Sequence, residues 1–205
     1  MESILIYPTY FPSISQMAAM IQAPTIILET EDNFQKQTNR NRMYIYSPNG
    51  IQLLNVPVKH SRNAHQKTKD VRIEKAFDWQ KQHFKSLEAA YRTSPFFEYF
   101  EDAIQPIFTD KHEFLLDLNL KTIEIVFSCL RLKFHYERTH EYFHTVENVT
   151  DCRPLANGKK DTTTIEPYTQ VFGEKFGFLN NLSVLDLLFN EGKFAAEYLK
   201  RQTVF

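Results

Sequence analysis

The sequence is poor in the residues that build the best-known catalytic loops and metal sites. Its five glycines are scattered and form neither G-x-G-x-x-G nor G-x-x-x-x-G-K, so nucleotide binding through those loops is not expected. Two cysteines, Cys129 and Cys152, are too few for a disulfide framework or a zinc tetrad. No G-x-S-x-G motif occurs and neither cysteine has a convincing neighbouring base, so covalent acyl chemistry has no obvious nucleophile.

Excess charge and long apolar runs are also missing. The net charge of −1 argues against a dedicated nucleic-acid binder, although a local basic patch is still allowed. The first apolar run, Ile4 to Ile6, is too short for a signal peptide, and no other run approaches the ~18 residues of a membrane span. We therefore expect a cytoplasmic protein without nucleic-acid or membrane partners.

Aromatic residues are abundant, with 18 Phe and 10 Tyr among 205 residues, and they supply much buried area for each residue. This length fits one domain over residues 1–205, with a sheet-forming half (1–58), a helical half (77–132) and a closing region (133–205). The expected fold class is α/β: a small mixed sheet that opens with a β-α-β unit and a hairpin, followed by a helical cluster.

The first 58 residues carry the strand signals. Strands are predicted at 3–7 and 25–29 around a helix at 13–22, and parallel pairing is the default outcome for such a unit. Segments 43–46 and 51–58 flank Asn49-Gly50, a strong hairpin signal that predicts antiparallel neighbours. Residues 59–75 hold six basic and two acidic residues, which indicates a mobile basic loop that includes Arg62.

Three helices are predicted next. The first has Phe77, Phe84 and Tyr91 on one face. The second begins at Ser94-Pro95, with Ser94 as N-cap and Pro95 as the first helical residue. The third begins at Asp110, with Glu113 completing a capping box, and runs to about residue 132.

The closing region is predicted to hold a strand at 133–138, an irregular excursion at 146–167, and two final helices. The first of these helices is capped by Ser183, and the second follows a break at 190–192 and ends near Arg201.

A basic, amide-rich run after the second strand is the main binding candidate. Ligands of open parallel sheets gather outside the carboxyl ends of the strands. The side chains available there to grip a phosphate or carboxylate and to read sugar hydroxyls are Lys36, Gln37, Arg40, Asn41 and Arg42. The alternative is a solvated loop whose arginines pair with Glu29, Glu31 and Asp32.

Two aromatic residues, a histidine and an asparagine complete the candidate site. Tyr10 follows the first strand, and His83 lies one helical turn after Trp79, which suits a general base beside an aromatic platform for a sugar ring. Either His83 serves chemistry or it is satisfied in a helix-helix contact. Asn119, like Asp117, is either an inward-facing ligand or on the solvent side, and periodicity does not separate these cases.

His140 to His144 matches the H-E-x-x-H zinc pattern, which requires a helix. Phe134, Tyr136 and Phe143 favour extended structure instead, in which the two imidazoles would lie ~13 Å apart. A third ligand could only be imagined at Glu166. The sequence therefore predicts no metal, and it indicates no cofactor.

Several motifs, in order, resemble the WbqC-like protein family of bacteria over nearly the full length. They are Tyr7-Pro8-x-Tyr10-Phe11-Pro12, Lys36-Gln37-x-Asn39-Arg40-Asn41-Arg42, Asn49-Gly50, Asn55-Val56-Pro57-Val58, Trp79-Gln80-Lys81-Gln82-His83, Ala90-Tyr91-Arg92-x-Ser94-Pro95, Asp151-x-Arg153 and the stretch from Asn181 to Gly192. Many members of that family carry a His-Gln pair before the first proline, where this sequence has Ile6-Tyr7.

The resemblance implies a role in surface polysaccharide biosynthesis of the O-antigen type, for which glycine transfer to an amino sugar has been proposed. On this hypothesis the chain is a transferase in which the basic segments bind a sugar nucleotide or another anionic small molecule, and His83 deprotonates the acceptor amine. The alternative is a non-catalytic module that binds a glycan precursor or a protein. The sequence does not reveal the donor, the acceptor or the oligomeric state.

Overall fold

The computed structural model describes residues 3–59 and 65–204, so Arg62 of the predicted basic loop lies outside the described residues. The strands are β1 (Ile4–Ile6), β2 (Ile26–Leu28), β3 (Arg42–Ser47), β4 (Gly50–Asn55), β5 (Tyr136–Arg138) and β6 (Thr150–Asp151). The α-helices are α1 (Ile14–Gln22), α2 (Trp79–Tyr91), α3 (Phe97–Thr109), α4 (Leu115–Cys129), α5 (Gly173–Phe176), α6 (Val184–Glu191) and α7 (Ala195–Arg201). Short 3-10 turns occur at Thr68–Asp70, Arg153–Ala156 and Gly192–Phe194.

Four short strands form a parallel sheet in the order β5-β2-β1-β6. The opening β-α-β unit is confirmed, because α1 connects β1 to its parallel neighbour β2. The strand predicted at 133–138 is confirmed in its second half as β5. Strand β6 lies in the excursion predicted to be irregular, and its two residues are too few to show a periodic pattern.

The predicted hairpin is confirmed, with β3 and β4 paired from Arg42 opposite Asn55 to Ser47 opposite Gly50. It forms its own two-stranded sheet and does not extend the parallel sheet. The hairpin packs against the helical cluster, where the backbone N–H of Tyr46 donates to the Tyr91 hydroxyl at 3.0 Å. The predicted α/β class is therefore confirmed, with parallel and antiparallel strands in separate sheets.

The predicted start of the second helix was wrong by two residues. α3 begins at Phe97, and Ser94 donates its hydroxyl to the carbonyl of Tyr91, closing the preceding helix. Pro95 lies in a turn before the helix. The aromatic pair Phe96 and Phe97 follows at once, and Phe97 is fully buried, so packing sets the start of the helix.

The capping box predicted at Asp110 and Glu113 was also wrong. α4 begins at Leu115, and both acidic side chains serve elsewhere: Asp110 pairs with Lys121 at 2.5 Å and Glu113 pairs with Arg72. The cap predicted at Ser183 is confirmed, because its side chain accepts from the backbone N–H of Leu185 at the start of α6.

Buried side chains of the sheet, the hairpin and the helices form one hydrophobic cluster, which includes Ile6, Met17, Ile45, Ile104 and Leu187. Its aromatic members supply much of its volume. Within the described residues, no helix combines the length and the apolar character needed to cross a membrane.

Candidate functional site

A cavity of about 700 Å³ lies where the loop before β3, the end of β4 and the segment before α2 meet. We call it the basic cavity. Its polar and aromatic lining residues are Phe34, Lys36, Gln37, Asn41, Arg42, Asn55, Lys59, Gln66, Glu74 and Phe77. Three cations face one carboxylate in this lining, and the volume falls in the usual range for small-molecule sites.

A carboxamide pair joins the two ends of the hairpin at the cavity wall. Asn41 donates from Nδ2 to Oδ1 of Asn55 at 3.0 Å and to the carbonyl of Val56 at 2.9 Å. The backbone N–H of Val56 donates back to the carbonyl of Asn41 at 2.9 Å. These bonds fix the positions of both side chains before any ligand arrives.

Unpaired polar atoms lie in the same wall. Oδ1 of Asn41 and Nε of Arg42 are buried without a hydrogen-bond partner in the described residues. Buried polar groups are normally paired, so an acceptor and a donor left open beside a cavity are groups that a ligand can satisfy. Lys36, Arg42 and Lys59 also have no ion pair within the described part of the chain.

Arg40, although adjacent to Asn41, lies outside the basic cavity. Its side chain is 2% exposed, donates to Asp32 at 2.6 Å and stacks over the ring of Tyr7 at 3.7 Å. The sequence left open whether the arginines of this loop pair with nearby acidic residues. Arg40 does so, with Asp32, whereas Arg42 has no ion pair in the described residues.

Asn119, on α4, is fully buried and does not line the basic cavity. Its Nδ2 donates to the carbonyl of Pro8 at 3.1 Å and to the carbonyl of Arg40 at 2.8 Å. Asn119 therefore ties the loop after β1 to the loop before β3. It supports the site from behind.

The structure brings Tyr10, Trp79 and His83 together, as a buried aromatic cluster behind the wall of the cavity. The ring centroids of Trp79 and His83 are 5.2 Å apart, and those of Tyr10 and Trp79 are 6.1 Å apart. Each of the three side chains is at most 6% exposed. None of them lines the basic cavity, so stacking of a ligand on Tyr10 or Trp79 has no geometric support there.

His83 contacts the cavity wall through the backbone of Asn55. Burial lowers the pKa of the imidazole to about 4, and a hydrogen bond to the backbone of Asn55 opposes this shift. The ring is therefore neutral at pH 7. It is placed to position Asn55.

Several lining residues were not predicted as site residues from the sequence, among them Phe77, Glu74 and Asn55. Phe77 was predicted to share one face of the first helix of the cluster with Phe84 and Tyr91, but it precedes α2 and is 64% exposed at the cavity. Glu74 belongs to a segment without periodic signal. Asn55 could have been found, because the two-residue turn sets the hairpin register and places it opposite Arg42.

The His140 to His144 segment is irregular, neither helix nor strand. Arg153 holds it in place by donating to the carbonyls of Phe143 and His144 at 2.6 and 3.1 Å. In the described residues, no group of three or more His, Cys, Asp or Glu side chains could hold a metal ion. Glu166 lies elsewhere and pairs with Arg201 at 3.3 Å.

The fold and the cavity define an α/β protein with a polar, predominantly cationic pocket beside an antiparallel hairpin. The model of the WbqC-like protein family matches residues 7–163, and the chain belongs to this family. The chain is also 24% identical to the uncharacterized protein Rv1507c of Mycobacterium tuberculosis, over 96% of each chain. No solved structure matches it at a significant level.

Proposed function

We propose that the chain is a cytoplasmic transferase of surface polysaccharide biosynthesis, of the O-antigen type, that binds a sugar nucleotide or a similar anionic small molecule in the basic cavity. The transferred group is glycyl or another acyl group, and the acceptor is an amino sugar. The observation that carries the proposal is the lining itself, in which cations that have no ion pair among the described residues lie beside carboxamides and an exposed aromatic ring.

Each class of lining residue suits one part of such a ligand. Lys36, Arg42 and Lys59 offer charge to a diphosphate, and a guanidinium can bind it with two parallel hydrogen bonds. Oδ1 of Asn41 is open to accept a hydrogen bond and Nδ2 of Asn55 can donate one, and recognition of sugar hydroxyls requires both. Phe77 offers an open aromatic face for a sugar or a base.

Transfer to an amine requires a group that removes a proton as the nitrogen attacks the activated acyl carbonyl and the leaving group departs. Glu74 is the carboxylate among the described lining residues, and its Oε1 already accepts from the backbone N–H groups of Lys75 and Ala76, at 2.7 and 3.0 Å. Its other oxygen can take the proton. His83, predicted as the base from the sequence, then acts through Asn55 as a positioning residue.

A non-catalytic binding module is the second candidate, and the burial of His83 favours it. The imidazole is 4% exposed and does not line the basic cavity, so the base predicted from the sequence has no contact with an acceptor amine there. The same cavity would then hold a glycan precursor without converting it.

Thermal unfolding with a panel of sugar nucleotides, including amino-sugar ones, tests binding. Ligand at one hundred times its Kd adds about 2.7 kcal/mol to the free energy of unfolding, which raises Tm by roughly 5–10 °C. The Lys36→Gln/Arg42→Gln double variant should lose the shift. Lys81→Gln/Lys85→Gln, which removes two exposed charges from α2, is the matched control and should keep it.

Mass spectrometry with an added activated acyl donor then separates the two candidates. An acylated amino sugar that Glu74→Gln fails to produce supports the transferase. A Tm shift without product under any donor supports the binding module. If no sugar nucleotide shifts Tm, the proposed ligand class is wrong.

A further inference from the structure

The strand order of the parallel sheet singles out a second place for a ligand. From β1 the chain moves to one side of the sheet, to β2 and then β5, and it later returns to the other side of β1 as β6. In open sheets of this kind, ligands bind beyond the carboxyl ends of the two strands where the order reverses. Those strands are β1 and β6.

A cavity of about 380 Å³ lies at this position, separate from the basic cavity. Tyr7, the residue after β1, and Arg153, two residues beyond β6, both line it. We call it the switch-point cavity. Arg40 lines it as well, so Arg40 and its neighbours Asn41 and Arg42 serve different cavities.

The two arginines in this lining are held by acidic partners. Arg153 donates from Nε and Nη2 to Asp151, at 2.8 and 2.7 Å, and Arg40 donates to Asp32. Nε of Arg40 is buried without a hydrogen-bond partner in the described residues, on a side chain that is 2% exposed. An unpaired donor in a fixed guanidinium at a cavity wall is a group that an anion can satisfy.

Lys160 supplies a further charge at the same cavity. Its side chain is exposed, and it has no ion pair with any described residue. Tyr7 and Tyr142 add hydroxyl groups, and the guanidinium of Arg40 stacks over the Tyr7 ring. Burial raises the pKa of Tyr7, and the Tyr7 hydroxyl is hydrogen-bonded to the side chain of Tyr142.

We propose that the switch-point cavity is a second ligand site, one that binds the phosphoryl or carboxylate group of a small anion. Lys160 provides a charge that has no ion pair among the described residues, Nε of Arg40 provides a buried donor, and Tyr142 provides a hydroxyl group. The proposal does not depend on the ligand of the basic cavity, because the two linings share none of these residues.

Titration of the whole protein with inorganic phosphate and, separately, with acetate tests the proposal, with chemical shifts as readout at constant ionic strength. Lys160→Gln should raise the Kd at least fivefold, and Tyr142→Phe should raise it severalfold. Both residues are exposed, so neither change should disturb folding. Binding of phosphate alone identifies a phosphoryl ligand, and binding of acetate alone identifies a carboxylate.

Lys159→Gln is the matched control, because this neighbouring exposed lysine lines a different cavity with Asn39 and Gly158. Read from the chemical shifts of residues that line the switch-point cavity, the Kd should change by less than twofold in this variant, as it should in Lys36→Gln of the basic cavity. The proposal is overturned if neither anion binds, if Lys160→Gln leaves the Kd unchanged, or if Lys159→Gln weakens binding equally. Loss of sugar-nucleotide binding in the Lys36 and Arg42 variants is a separate result.

Discussion

The hydroxyl of Tyr10 lies 3.1 Å from Nδ1 of His83, and both side chains are buried where the loop after β1 meets α2. Burial lowers the pKa of His83 to about 4 and raises that of Tyr10 well above its usual value, so both groups are neutral at pH 7. A neutral tyrosine and a neutral imidazole form a hydrogen bond without a buried charge. The contact therefore helps to hold His83, whose ring is hydrogen-bonded to the backbone of Asn55 in the wall of the basic cavity.

The burial of His83 makes stability depend on pH in acid. The pKa of His83 is about 4 in the folded protein and about 6.5 in an unfolded chain, so between these values the unfolded chain binds more protons. Stability should therefore fall as pH falls from 6.5 to 4, by about 3 kcal/mol from this residue. Denaturant unfolding at pH 7 and pH 4 should show that His83→Gln lacks this part of the loss.

The exposed His140 provides the control for that experiment. His140→Gln should follow the wild-type pH dependence. Equal pH dependence of His83→Gln and the wild type would contradict the assignment of the loss to His83.

Removal of one partner from the buried ion pair between Arg40 and Asp32 should strongly destabilise the fold. Their side chains are only 2% and 3% exposed, so Asp32→Asn leaves a guanidinium uncompensated in the interior, at a cost of roughly 3–5 kcal/mol. The exposed pair of Arg72 and Glu113 is the comparison, and Glu113→Gln should cost less than about 1 kcal/mol. Urea unfolding of both variants measures the difference, and equal costs would refute the prediction.

Local patterns predicted the first half of the fold because its signals are short-range. The buried strands on either side of α1 and the Asn49-Gly50 turn specify their own pairing. Strand β6 could not be predicted, since Thr150 and Asp151 owe their conformation to the neighbouring β1 and not to their own sequence. Phe77 was assigned to the first helix of the cluster because the apolar helical pattern starts before Trp79, where α2 begins.

The sequence predicted which segment lines the candidate site, but it did not predict what each residue of that segment does there. The run from Lys36 to Arg42 was identified from its composition, and the structure places four of its predicted residues at the basic cavity. Composition could not show that Arg40 turns away to Asp32, because that direction depends on the path of the loop. Gln37, with a φ of 64°, is one of the residues that set this path.

Gly192, between α6 and α7, should tolerate no side chain. Its φ is 55°, and a Cβ atom would lie 2.6 Å from the ring of Phe96. Gly192→Ala combines left-handed strain with overpacking, and we expect a loss of about 2–4 kcal/mol in the free energy of unfolding. Gly173→Ala has nothing within 4 Å of the new Cβ and should change it by less than about 1 kcal/mol. Similar denaturation midpoints for the two variants would rule out the clash.

Phe77 gives the sharpest separation of binding from stability, because its ring is 64% exposed and yet lines the basic cavity. Loss of a stacking partner costs about 1–3 kcal/mol for a base, so Phe77→Ala should raise the Kd for the best sugar nucleotide at least fivefold. The free energy of unfolding should change by no more than about 0.5 kcal/mol, since an exposed side chain contributes little to folding.

Phe194→Ala removes a ring that is 58% exposed and does not line this cavity, so it should leave the Kd unchanged. Calorimetric titration of both variants measures the two Kd values. If Phe77→Ala binds the sugar nucleotide as tightly as Phe194→Ala does, the Phe77 ring makes no contact with the ligand. The sugar or base must then lie against another wall of the cavity.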